Sequence, residues 1–421
     1  MRIRSFEWSD APAVAAEIRA WGAEAAPEAE IESIAREVTE GGDEAVLRLG
    51  ERFDGAASRP TALRVEPGEV SAALESLDPD LREALDVAAA NIRAVAEAQV
   101  DDTPHKVELP QGQAVVLQEI ALRSAGVYAP GGRAAYPSSV LMCCIPGRVA
   151  GVGRLAVASP PGEGGQVHPL TLAACGVCEV DEVYAMGGAQ AVVALACGTE
   201  SVAPVDVVVG PGNIWVQEAK RWAYGRVGID GLAGPSELML IAGHDTDLEW
   251  AALDLCAQAE HGADSPLIAA AVEEAVLADL REQVESCAAQ RPSVADAPLA
   301  LVHVPDLADA VALANDYAPE HLQLVSEDAY ALAAQVRSAG CVFVGRSSGT
   351  AFGDYAAGSN HVLPTGGTGR FAGPLGPAAF RRRIANVSLP GPAAAALAPY
   401  VDALARAEGL PVHGESARAR E

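Results

Sequence analysis

Apolar side chains recur at helical spacing over residues 11–50 and 78–100, with Ala, Glu and Arg filling the other faces, so both stretches read as amphipathic helices. The pattern then changes. Val115-Val116-Leu117 and Ala125-Gly126-Val127-Tyr128 are short apolar runs that read as strands, the second leading into Ala129-Pro130-Gly131-Gly132. From there to about residue 240 short apolar strand, glycine turn and helix alternate, with strands at Arg154–Ser159, Glu182–Met186 and Val205–Val209. That rhythm predicts a parallel sheet with crossover helices. Leu238–Ala242, Leu299–Val304 and Cys341–Val344 add strands, separated by helices over 246–261, 270–288 and 307–317. After Pro374 the pattern is irregular until a last helix, opened by Pro392 and stopped by Gly409. The chain is therefore expected to be α/β, with two parallel-sheet domains, one inserted in the other. The expected division is a helical arm over 1–22, a first domain over 23–126 and 238–374, an inserted domain over 127–237, and a helical tail over 375–421.

At 421 residues there is enough chain for two or three full cores. Half the residues are hydrophobic but only 5% aromatic, so the interior is built from Ala, Val and Leu. A net charge of −28 argues against nucleic acid and against an anionic membrane surface. No apolar run reaches the ~20 residues a membrane span requires. The start, MRIRSFEWSD, has neither h-region nor cleavage site, and a cytoplasmic protein is expected. The eight cysteines include a lone Cys175-Gly176-Val177-Cys178 and an apolar Cys143-Cys144, both read as core packing.

Candidate chemistry gathers in a few places. Gly353-Asp354-Tyr355-Ala356-Ala357-Gly358-Ser359-Asn360-His361-Val362-Leu363-Pro364-Thr365 puts a carboxylate and an imidazole in a glycine-bounded loop, expected to enter no regular helix or strand. On the helix over 246–261, Gln258 and His261 project from one edge of the apolar stripe and could converge on a metal, or form a hydrogen-bonded boundary pair. Ala318-Pro319-Glu320-His321 joins a helix to a strand, and its adjacent acid and base can serve two proton-transfer tasks. Gly187-Gly188-Ala189-Gln190 and Gly210-Pro211-Gly212-Asn213 open helices where backbone N–H groups can meet a phosphate, although neither is a G-x-G-x-x-G. His413 lies so near the end of the chain that it becomes a ligand only where the tail docks.

The set GPGN, GPSE, QAEH, APEHL, GDYAAGSNHVLPT and EGLxxH, in this order and spacing, resembles the histidinol dehydrogenase family over about residues 25 to 415. The resemblance implies two Rossmann-like domains with small helical extensions at either end. It also implies one zinc ion per subunit held by Gln258, His261, Asp354 and His413. Ser236, His361 and Glu408, together with the zinc ligands and Glu320 and His321, would contact the substrate, L-histidinol. Tyr128, Gln190 and Asn213 would contact NAD. Glu408 and His413 would come from the neighbouring subunit of a homodimer that exchanges tails.

The implied reaction is the four-electron oxidation of L-histidinol to L-histidine with two NAD⁺, through bound histidinaldehyde, at the end of histidine biosynthesis. His321 would be the general base and Glu320 would activate the hydrating water. A relative acting on another primary alcohol, such as a sulfonated propanediol, would keep the same zinc and base residues. It would need an added Arg or Lys for the sulfonate, and the motif loops offer none. A zinc hydrolase would require turnover without NAD, and a silent NAD- or metal-binding regulator would have no use for Glu320 and His321. The chain departs from the family pattern in the glycines around 366–377 and in Trp215 beside GPGN.

Overall fold

A computed structural model describes residues 1–22, 28–131, 135–180 and 182–421. The boundary expected between residues 22 and 23, and Gly132 of the glycine turn, abut or fall on residues outside those described. Two parallel sheets and one antiparallel ribbon make up the strand content of the described residues. The larger sheet runs, edge to edge, Arg2–Phe6, Pro298–His303, Leu267–Ala271, Leu238–Ala242, His321–Val325, Cys341–Val344. The smaller runs Glu182–Ala185, Arg154–Ser159, Ser124–Tyr128, Val207–Val209, Gly228–Ile229. Numbered along the chain, the smaller sheet has the order 3-2-1-4-5. The larger repeats that order with Arg2–Phe6 added beyond its third strand. The α/β class with two Rossmann-like sheets is thus as the pattern indicates.

Strands buried on both faces explain the continuous apolar runs. Leu238, Leu240 and Ala242 face one core with Ala251, Ala252 and Leu255, while Met239 and Ile241 face another with Val14, Ile18 and Leu313. Leu322 and Leu324 share the second face. His321 and Gln323 therefore point to the side covered by helix Leu248–Ala259.

Four expectations differ from the fold. The arm over 1–22 begins as strand Arg2–Phe6, and its helix Ala11–Gly22 packs on helix Leu307–Tyr317, so it belongs to the larger sheet. Helices Glu28–Asp54, Pro67–Glu75 and Pro79–Glu97, expected with the first domain, pack on helices that flank the smaller sheet. The helix over 270–288 is strand Leu267–Ala271 followed by helix Glu274–Ala289. The stretch after Pro374 contains strand Arg381–Ser388, antiparallel to Ala114–Ala121, and the last helix is followed by another, Pro411–Arg418. No described helix is long and apolar enough to cross a membrane.

Candidate active site

Local sequence builds the turn that carries Glu320 and His321. Helix Leu307–Tyr317 ends at Ala318 in the left-handed region (φ 50°), and Pro319 keeps the helix from resuming. The chain reverses into strand His321–Val325 with Glu320 and His321 both buried. His321 is in register with Leu238 of the next strand, which brings Ser236 and Glu237 against the turn.

A chain of hydrogen bonds follows. Gln258 Nε2 donates to Ser236 Oγ (2.6 Å), Ser236 Oγ donates to Glu320 Oε2 (2.5 Å), and the Glu237 N–H donates to the same oxygen (2.8 Å). Gln258 Oε1 is buried with no partner. His321 Nδ1 lies 3.0 Å from the Glu237 carbonyl oxygen and 3.4 Å from Glu320 Oε2; Nε2 lies 3.4 Å from Asp354 Oδ1. Burial disfavours the imidazolium, but Glu320 and Asp354 outweigh it and hold the His321 pKa well above the ordinary value.

The loop expected to be free of regular structure is corrected at its start. Gly353, Asp354 and Tyr355 close the short helix Thr350–Tyr355, too brief for apolar periodicity to reveal. Burial would raise the Asp354 carboxyl, but the hydrogen bond to His321 and the nearby His321, His361 and His261 hold it below the usual range. Beyond it the loop crosses to the smaller sheet. Asn360 Nδ2 donates to the Met142 carbonyl (2.6 Å), and His361 lies 3.0 Å from the Asp354 carbonyl by Nδ1 and 3.0 Å from Ser139 Oγ by Nε2. Burial lowers the His361 pKa.

Helix Leu248–Ala259, capped by Asp247, ends before His261, which is exposed in the following turn. Glu408 and His413 are exposed on the tail, and among the described residues no hydrogen bond or ion pair joins either to this cluster. Nor is there, among those residues, a group of three His, Cys, Asp or Glu that could hold a metal. One chain thus brings together Gln258, Ser236, Glu320, His321, Asp354 and His361, with His261 close by, and leaves Glu408 and His413 apart.

On the smaller sheet, Tyr128 ends its strand, accepts from the Gly188 N–H (3.2 Å) and has its phenol pushed up to about 12 by burial. Gln190 is buried in helix Gly188–Cys197 with Oε1 unpartnered. Asn213 caps helix Ile214–Ala223 through the Val216 N–H (3.2 Å). Trp215 stacks on Phe53 with ring centroids 6.5 Å apart. These residues follow the carboxyl ends of their strands, whereas Ser236, Glu320 and His321 stand at the amino ends of theirs.

The histidinol dehydrogenase family model matches residues 19–421. The chain belongs to this family. The histidinol dehydrogenase of Ruegeria pomeroyi is 44% identical over 401 residues, covering 93% of this chain and 92% of that one. That of Nitrosomonas europaea is 42% identical over 397 residues, covering 93% and 91%. The crystal structure of histidinol dehydrogenase from Elizabethkingia anophelis superposes with a TM-score of 0.91 at 30% identity, covering 100% of this chain and 98% of that one. Cys143, Cys144, Cys175 and Cys178 are free and buried, and burial pushes the Cys143 and Cys175 thiols well up. Sequence reading passed over Ser139 and Arg19, which carry no motif, and over Glu237, which stands inside GPSE and was hidden by Ser236.

Proposed function

We propose that this chain oxidises L-histidinol to L-histidine through bound histidinaldehyde, using two NAD⁺ and one zinc ion per subunit, as a cytoplasmic homodimer. The observation that carries the reading is the hydrogen-bonded chain Gln258–Ser236–Glu320, buried at both ends and packed against His321. It supplies two proton-transfer groups and one oxygen that lacks a partner.

The residues fit a zinc ion. With Nε2 of Gln258 committed to Ser236, Oε1 is a buried acceptor that is costly to leave unpaired. Joined to the Asp354 carboxylate and the His261 imidazole it makes an oxygen and nitrogen donor set suited to a borderline cation. Gln258, His261 and Asp354 would hold the metal, with His413 of a second copy completing the set. When bound, zinc orients the substrate without redox chemistry, and NAD⁺ supplies the hydride acceptor.

The chain's own groups do the rest. The Glu237 carbonyl can only accept, so Nδ1 of His321 carries a proton. Nε2 faces Asp354, and with that carboxylate given to the metal the ring would be free to lose its second proton, making Nε2 the atom that takes the alcohol proton as hydride departs. Glu320, aimed by Ser236 and the Glu237 N–H, takes the proton of the water that adds to the aldehyde. In that addition His321 returns its proton to the aldehyde oxygen, and so it is free to serve again as base when the hydrate is oxidised. Each oxidation releases one hydride and one proton, so one histidinol and one water yield two NADH. Ser236, His361 and Glu408 would orient the substrate; Tyr128, Gln190 and Asn213 would receive the dinucleotide, Gln190 through its free oxygen.

NADH formed per histidinol by the zinc-loaded protein tests this. Two NADH are expected; none, with zinc shown to be bound, moves the assignment to a relative that oxidises a different alcohol.

A further inference from the structure

Glu237 is 3% exposed, and none of the steps above uses its side chain. Yet it touches both members of the acid–base pair. Its N–H donates to Glu320 Oε2 (2.8 Å), and its carbonyl oxygen accepts from the His321 N–H (3.1 Å) and lies 3.0 Å from His321 Nδ1. Its carboxylate reaches round the turn, Oε2 accepting from the Glu320 N–H (3.3 Å) and Oε1 from the Gly366 N–H (3.2 Å).

A buried carboxylate next to that of Glu320 is unfavourable unless a cation answers it. Arg19 of helix Ala11–Gly22 is that cation. Nη1 donates to Glu237 Oε1 (3.1 Å), Nη2 donates to the Tyr317 carbonyl, and the guanidinium lies 3.9 Å from the centre of the Tyr317 ring. The Tyr317 hydroxyl is itself 3.5 Å from Glu237 Oε1. Tyr317 ends the helix that leads into Ala318-Pro319-Glu320. Arg19 therefore grips the near side of the turn, and Glu237 the far side. Burial raises the Glu237 carboxyl and Arg19 opposes it.

We propose that Glu237, paired with Arg19, is a positioning residue for the Glu320–His321 pair: it fixes the direction of the Glu320 carboxylate and keeps Nδ1 of His321 committed, leaving Nε2 for substrate. The Glu237 and Arg19 side chains themselves touch neither the Glu320 carboxylate nor the His321 ring nitrogens. The inference rests on the function proposed above. Groups that orient acid–base side chains set geometry to a fraction of an ångström, and loss of such a partner costs roughly 10–100-fold.

Glu237→Gln keeps shape and removes charge. Its kcat is expected to fall by roughly 10–100-fold, with KM for histidinol and NAD⁺ and the zinc content within about twofold of wild type. Arg19→Ala is expected to lose kcat similarly and to regain part of it with methylguanidinium, since the Arg19 side chain is 28% exposed and its place can be reached from solvent. Methylguanidinium should leave Glu237→Gln unchanged. Wild-type kcat in both variants overturns the proposal, as does a loss confined to KM, zinc content or melting temperature. If Glu237→Gln does not fold, Arg19→Ala with and without the small cation decides alone. A zinc-loaded wild type that forms no NADH from histidinol overturns the functional reading instead, and the positioning role with it.

Discussion

Glu320 and His321 are adjacent in sequence and share Glu237, yet the rest of their surroundings differ, which suits the separate tasks proposed for them. His321 Nε2 faces Asp354, and Glu320 is locked by Ser236 and a backbone N–H. His321→Asn should lower turnover by at least about 10²-fold, the usual worth of a positioned base, while zinc measured on the purified variant stays at the wild-type level. Zinc lost from that variant would make the ring a metal ligand and not the base. Gly210 permits a similar single-residue test on the side proposed for the cofactor. It sits at φ 117°, where an added Cβ would overlap the Tyr128 carbonyl oxygen. Its N–H donates to Asp230 (2.8 Å) and its carbonyl accepts from Lys220 (3.0 Å), the two ends of a buried ion pair. Gly210→Ala should introduce about 1–3 kcal/mol of strain in the GPGN turn. The expected readout is a KM for NAD⁺ raised roughly tenfold or more, with KM for histidinol unmoved; equal change in both would place the turn outside the cofactor site.

At the scale of elements, what the sequence made legible was what periodicity can carry. Leu238–Ala242, Arg154–Ser159, Cys341–Val344 and the helix 307–317 fall where the apolar pattern put them. Leu267–Ala271 did not, because LIAAA is a short apolar run that reads equally as helix or buried strand. Arg381–Ser388 was missed for the opposite reason: as an edge strand of a small ribbon it is mostly exposed, so RRRIANVS shows no apolar face. The motifs pointed to Ser236, Gln258, Glu320, His321, Asp354 and His361, which the fold brings together, but not to what supports them. Ser139, Arg19 and the Glu237 carboxylate reach it across long sequence separations that no local pattern encodes.

Another such long-range tie makes a test of its own. Arg154, opening one strand of the smaller sheet, forks onto Glu182 of the next with bonds of 2.9 and 2.6 Å, and Tyr184 donates to the same carboxylate (2.9 Å). Burial alone would raise Glu182, but Arg154 and Tyr184 prevail and lower it. A carboxyl lowered on folding stabilises above its unfolded pKa, and that contribution is lost as pH falls through the folded value. Glu182→Gln should therefore cost about 1–3 kcal/mol at pH 7 in urea unfolding. The gap to wild type should narrow as pH drops below about 4, and a gap constant with pH would remove the ion pair as its cause.

For the whole molecule, two sheets of the same strand order meet with opposite edges: carboxyl ends of the smaller, amino ends of the larger. Ligands of open α/β sheets gather at carboxyl ends, which suits a dinucleotide on the smaller sheet, while the loop from Asp354 to His361 joins the two halves. Such a site needs a closing element, and the tail is the candidate. Helices Gly391–Ala407 and Pro411–Arg418 pack on each other and expose Tyr400, Leu404, Leu410 and Val412. Exposed apolar side chains clustered on one element mark an interaction surface. If His413 and Glu408 act across a twofold dimer, a site combines the core of one copy with the tail of the other. His321→Asn and His413→Ala, each inactive alone, should then complement when co-expressed. Random pairing makes half the dimers mixed, and a mixed dimer has one site with both lesions and one with neither. Roughly a quarter of wild-type activity per site is expected of the unseparated mixture, all of it carried by the mixed species, which should show roughly half once isolated by two affinity tags. A mixed dimer with no activity would return His413 to its own chain.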